Sequence, residues 1–176
     1  EHTQGRALTH VRELRVARVD EAITLPPLTC RNLELTQTLR GEDAPTLLSL
    51  LDTCITGMGS RALRRWLLAP PRERDVAQAR LHAIDALLAP QAHGGAAWAA
   101  LRGALKGVCD VERIGARKAL RQVRPRELAA LRDTLSNHEL AALIPHGAQG
   151  ILLDISEALK APPPVLGLLR AAIAPE

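Results

Sequence analysis

The sequence predicts an all-α fold: an irregular multi-helix bundle, with room for one short extended segment near the N-terminus. Two observations carry this. Apolar residues recur at the three-to-four-residue spacing of a helix through almost all of the 176 residues. The twelve prolines and twelve glycines fall largely between those periodic blocks, where they punctuate rather than interrupt. No fixed-period repeat is visible, which argues against a solenoid.

Taken in order, Gln4 to Arg15 reads as a helix, with Leu8, Val11, Leu14 and Arg15 following its period. Ala22 to Leu25 is a short alternating run that suits a lone strand. Pro26-Pro27 then opens a new element, since proline fits a first helical turn. Leu28 to Thr38 is expected to be a helix with Leu28, Leu35 and Leu39 along one side. Gly41 to Pro45 is a loop. Leu47 to Leu51 is a short helix, Thr56 to Gly59 a turn, and Met58 to Leu68 an amphipathic helix that Pro70-Pro71 stops. Glu73 to Leu88 is the cleanest long helix, with Val76, Ala79, Ala83, Ile84, Leu87 and Leu88 as its apolar face.

After a connection over Pro90 to Gly95, Ala97 to Leu105 forms a helix around Trp98. Asp110 suits the cap of a helix over Val111 to Arg121, whose positive end Glu112 favours. Pro125 fits the first turn of Arg126 to Leu135, where Leu128, Leu131 and Leu135 face inward. Glu139 to Ile144, Gln149 to Lys160 and Pro164 to Ile173 complete the series.

Composition narrows the function. The net charge is +4, and arginine supplies twenty of the 23 basic residues. Guanidinium groups bind phosphate in a fork. Acidic residues are interspersed, however, and no long basic block exists, so compositional bias is the preferred account. Tyr and Phe are absent and Trp66 and Trp98 are the only aromatics, which removes the stacking platforms of OB- or RRM-type single-strand binders. Cys30, Cys54 and Cys109 show no C-x-x-C spacing, so a reduced, cytoplasmic protein with three small core thiols is expected. No apolar run approaches a membrane span and no signal peptide is visible, so no membrane partner is expected.

The chemistry-bearing motifs are missing. There is no G-x-x-x-x-G-K-[ST] loop and no G-x-G-x-x-G turn. Gly57-Met58-Gly59-Ser60-Arg61 comes closest, without the lysine. None of the six histidines lies three to five residues from another, so no metal site is expected. No serine occupies a G-x-S-x-G elbow. Glu42, Asp43 and Asp52 fall near one another, and solvation or pairing with Arg40 explains them better than acid–base work. The chain is therefore not expected to be an enzyme or to hold a cofactor.

One turn offers more. Thr56 can accept a bond from an amide of the first helical turn. Gly57 and Gly59 permit close backbone approach, and free amides at a helix start attract anions. The turn therefore suits a phosphate, or a carboxylate from another domain, or simply tight packing, and packing is favoured. Arg61, Arg64 and Arg65 share a helical face at i, i+3, i+4. They have the charge and reach for a DNA backbone, although a solvated, ion-paired stripe is the commoner arrangement.

Thr46, Leu47, Leu48, Ser49, Leu51 and Asp52, then Thr56, Met58 and Gly59, then Arg61, Leu63, Arg64, Trp66, Leu67 and Pro70, resemble the segment that opens the helical core of MutS-family DNA mismatch repair proteins. Cys30-Arg31-Asn32-Leu33-Glu34-Leu35 resembles the entry to the same core. Asp110-Val111-Glu112-Arg113-Ile114, with Arg117, Ala119 and Leu120 and then Arg124-Pro125-Arg126-Glu127-Leu128, resembles a third stretch of it. Two departures stand out: Gly57 replaces the usual proline of the turn, and Arg124 replaces the usual capping serine.

The resemblance implies a core, or lever, domain that links mismatched-DNA binding to an ATPase domain and transmits conformational change. It places residues 1–19 at the end of the connector and 20–176 in the first part of the core, stopping before the clamp. ATP and Mg would belong to other parts of the parent protein. So would mismatched double-stranded DNA, a dimer partner and a MutL-like partner. Interdomain or phosphate contacts would fall on Thr56, Gly59, Arg61, Arg64, Arg65, Arg31 and Asn32. The alternatives are a free-standing helical adaptor for protein partners and a small basic DNA-binding helical domain. If the core is incomplete, an exposed apolar patch is expected, with Leu152, Leu153, Ile155 and Leu159 as candidates.

Overall fold

The computed structural model describes residues 22–90, 95–160 and 163–173. The helix expected over Gln4 to Arg15 lies outside them. Among the described residues the chain is all-α: α1 (Pro27–Asn32), α2 (Leu47–Leu51), α3 (Gly57–Leu68), α4 (Arg74–Leu88), α5 (Ala97–Ala104), α6 (Val111–Ala119), α7 (Pro125–Ser136), α8 (Glu139–Ala142), α9 (Ile151–Ala158) and α10 (Pro163–Ala172), with one 3₁₀ turn at Leu105–Gly107.

The extended piece near the N-terminus is a single antiparallel bridge between Ala22 and Pro71, reinforced by the Ile23 amide donating to the Pro70 carbonyl at 2.8 Å. It does not grow into a strand because Pro70 and Pro71 have no amide to extend the ladder.

The first expected helix is shorter than its spacing suggested. It ends at Asn32, six residues before Thr38. Glu34 takes a left-handed conformation (φ 47°) and its carboxylate accepts the Leu39 amide at 2.7 Å. The Glu34 and Leu35 carbonyls then accept the Leu47 and Leu48 amides at 3.1 and 2.9 Å. These bonds close residues 34–47 into a loop that buries Leu35, and they replace the helical ladder. The buried threonines of this loop are satisfied. Thr38 Oγ1 accepts from the Glu42 amide, while Thr46 Oγ1 accepts from the Ser49 amide and Ser49 Oγ from the Thr46 amide. That reciprocal pair is the capping box of α2.

The other boundaries follow local chemistry. Helix α6 stops at Ala119 because Arg121 adopts φ 58°, with its amide on the Lys118 carbonyl and that of Gln122 on the Arg117 carbonyl. Arg124 has no acceptor atom for a cap. Instead Glu127 reaches back and accepts the Arg124 amide at 2.9 Å, which holds its carboxyl below the usual range, helped by Arg117.

Helix α4 is the hub, packing against α5 and α9, while α5 also meets α8. Ala97, Leu140, Ile144 and Leu152 are buried in or beside these elements. A second cluster joins α6 to α7 and α7 to α10. Two bonds reinforce it: Arg132 Nη1 to the Ile173 carbonyl (3.3 Å) and Arg170 Nη2 to Ser136 Oγ (3.4 Å).

Apolar surface is left open. Leu153, Ile155 and Leu159 are exposed as expected, whereas Leu152 is buried, because it turns toward the α4 side of α9. Helix α4 carries two apolar stripes. Val76, Ala79, Ala83 and Leu87 are partly covered. Ala77, Leu81, Ile84 and Leu88 are exposed, so Ile84 and Leu88 do not belong to the covered face. The thiols also depart from expectation: Cys30 and Cys109 are half-buried and Cys54 is exposed. No helix among the described residues is long and apolar enough to cross a membrane.

Candidate functional site

The turn entering α3 is built from its own side chains. Thr56 is extended and its Oγ1 accepts the Gly59 amide at 3.1 Å. Asp52 Oδ1 accepts from Ser60 Oγ at 3.0 Å and from the Cys54 amide at 3.1 Å. Those two bonds, the hydroxyl's first, hold its carboxyl below the ordinary range. A Cβ on Gly59 would lie 3.2 Å from Cys54 Cβ and 3.4 Å from its Sγ, so the glycine lets the cysteine fold over the helix start. Cys54 is nevertheless exposed as a residue. Burial first, and Asp52 second, push the thiol up.

Arg61, one turn into α3, reaches across 49 residues of sequence. Its Nη1 and Nη2 donate to the two carboxylate oxygens of Asp110 at 2.8 Å each, and Nη2 also donates to Glu112 Oε2 at 2.8 Å. Asp110 is at the same time the N-cap of α6, accepting the Arg113 amide at 3.0 Å. The Arg61 fork, first, and the Arg113 amide hold its carboxyl at about 2, against the opposing cost of desolvation. The two carboxylates raise the guanidinium further above its already high value. Asp110 Oδ2 also lies 3.6 Å from where a Cβ of Gly57 would stand. A carboxylate of this same chain thus stands beside the start of α3, paired with Arg61 while it caps α6.

Two further bonds converge on this junction. Arg102 of α5 donates from Nη1 to the Thr53 carbonyl at 2.9 Å, and the Cys109 amide donates to Thr134 Oγ1 of α7 at 3.0 Å.

The remaining sequence-derived candidates separate. Arg64 and Arg65 are exposed, whereas Arg61 is held by Asp110 and Glu112. Arg31 donates to the Leu39 carbonyl at 3.1 Å and helps close the first loop; Asn32 is exposed beside it. Trp66 is covered on one face by the Arg80 guanidinium, 3.9 Å from the ring centroid. Glu112 and Arg102 were missed as partners because nothing local marks two residues fifty positions apart as neighbours.

The bonds at this junction position helices. The residues around Gly57 do not fit a nucleotide: the Gly59 amide is bonded to Thr56 and the Arg61 fork is bonded to carboxylates. No group of three or more His, Cys, Asp or Glu side chains among the described residues could hold a metal. An open depression of about 600 Å³ runs beside α1, lined by Leu25, Pro27, Cys30, Arg31, Gln37, Thr38 and Leu68 among others. It brings together no nucleophile and base. The family model for MutS domain III matches residues 28–175, from the second residue of α1 to beyond the end of α10. The chain therefore belongs to the MutS domain III family, the core domain of MutS-family mismatch repair proteins.

Proposed function

We propose that this chain is the part of the core that joins a DNA-holding region of its parent protein to an ATP-binding region and relays changes of shape between them. Residues 1–19 would then close the connector and 20–176 begin the core. The parent would be a cytoplasmic, dimeric, ATP- and Mg-dependent mismatch-repair protein that recruits a MutL-like partner.

The observation that carries the reading is the bare stripe on α4. Ala77, Leu81, Ile84 and Leu88 recur at i, i+4, i+7 and i+11, the seam that a packed antiparallel or parallel helix needs. Leu81, Ile84 and Leu88 are each about half exposed. A strut that works between other parts of a larger machine would have such a face covered by them.

The test uses the full-length parent protein, with hydrogen exchange of α4 followed in the free, ATP-bound and mismatch-bound states. Protection that differs between these states supports a relay. Identical exchange in all three, or a reading frame that encodes no phosphate-cradling loop, overturns it. Binding of the isolated chain to duplex DNA with a steep salt dependence would instead favour a direct phosphate role for Arg64 and Arg65.

A further inference from the structure

Helices α3 and α6 share no extended packing surface. Helix α3 contains no buried residue, and α6 buries only Ile114. Something else must fix where the two helices start relative to each other. The only specific side-chain bonds between them, among the described residues, are the three that Arg61 makes to Asp110 and Glu112. The fork geometry matters here. A bidentate guanidinium–carboxylate pair constrains direction as well as distance, which a point charge does not. Asp110 cannot swing to follow a moving Arg61 without giving up the Arg113 amide, because one carboxylate serves both.

We propose that the Arg61–Asp110–Glu112 cluster is a register latch. It locks the first turn of α6 to the first turn of α3, so that a displacement of α3 is passed to α6 instead of being absorbed between them. The bonds from Arg102 to Thr53 and from Cys109 to Thr134 brace the two sides of the same junction. Arg61 is a positioning residue in this scheme: it acts through the cap of another helix. The latch rests on the relay reading, but it is a property of this chain and is tested without the parent.

The experiment is amide hydrogen exchange on the 176-residue chain, comparing wild type with Arg61→Gln, Asp110→Asn and the double variant. Asn retains a capping oxygen, so α6 keeps its N-cap while the charge pair is lost. Each single variant should speed exchange in both first turns, residues 57–61 and 111–114, by about threefold to tenfold. The double variant should be no faster than Arg61→Gln alone, because that substitution already removes every bond of the cluster, whereas Asp110→Asn leaves the one to Glu112. Exchange that rises only in the helix carrying the substitution, or effects that simply add, would overturn the latch. If Arg61→Gln unfolds the chain, Arg61→Lys decides. It keeps the charge without the fork, so faster exchange at residues 111–114 supports the proposal and unchanged exchange there refutes it. A failed latch leaves the ATP-dependent exchange of the parent untouched, so the two readings can fall separately.

Discussion

Asp110 does two jobs, and two substitutions can separate them. Asp110→Asn removes the charge that holds Arg61 but keeps an oxygen for the Arg113 amide. Asp110→Ala removes both. The carboxyl lies at about 2 against an ordinary 3.8, which at about 1.4 kcal/mol per pH unit sets an upper bound of about 2.5 kcal/mol on the charge contribution. The side chain keeps 26% of its surface open and that of Arg61 keeps 42%, so water and salt reduce this to about 1 kcal/mol. The cap contributes about 1 kcal/mol more. Urea denaturation followed by far-UV circular dichroism at pH 7 should therefore place Asp110→Asn about 1 kcal/mol below wild type and Asp110→Ala about 2 kcal/mol below it. In 1 M salt the gap between wild type and Asn should shrink, because it is Coulombic, while the gap between Asn and Ala should persist. Equal losses for Asn and Ala, or an Asn variant as stable as wild type at low salt, would refute the division of labour.

The acid response follows from the same group. A carboxyl depressed in the folded state contributes stability that is complete above its unfolded value of 3.8 and is lost as pH falls through about 2. Asp52 and Glu127 are shifted in the same direction, so stability should decline on acidification below about pH 4. The decline should be shallower in Asp110→Asn, as an acid titration of the circular dichroism signal would show. The two glycines of the α3 turn should respond differently to alanine. A Cβ at Gly57 meets Arg61 and Asp110 at 3.6 Å, an ordinary contact, so Gly57→Ala should stabilise the chain by about 0.4–1 kcal/mol. At Gly59 the new atom would stand 3.2–3.4 Å from Cys54 and Thr56, which cancels that gain. Thermal melts that rank Gly59→Ala above Gly57→Ala would contradict this packing.

Much of the helical layout was legible from spacing. The α2 boundaries, the start of α3 at the Thr56 cap and the stop before Pro70 all follow from side chains within four residues of the boundary. The errors arose where distant backbone intervened. Leu28 to Thr38 has helical spacing, yet Glu34 and Leu35 spend their carbonyls on Leu47 and Leu48 instead. Ala22 to Leu25 alternates like a strand, but its partner is a pair of prolines. The site was half legible. Thr56 and Gly59 behave as their types demand. The arginine stripe divides because Arg61 meets two carboxylates that lie far along the chain, while Arg64 and Arg65 meet solvent.

Sequence alone determined where most of the described helices from α2 onward lie, the lack of a nucleotide-cradling motif, and the kinship with mismatch-repair cores, because each of these is written in short-range patterns of shape, polarity and turn chemistry. Tertiary structure alone decided which of the two apolar stripes on α4 is covered, and that the carboxylate beside the start of α3 is that of Asp110. Both depend on which helix arrives beside which. That choice is made by the sum of many weak contacts over the whole chain, and no window of neighbouring residues contains it.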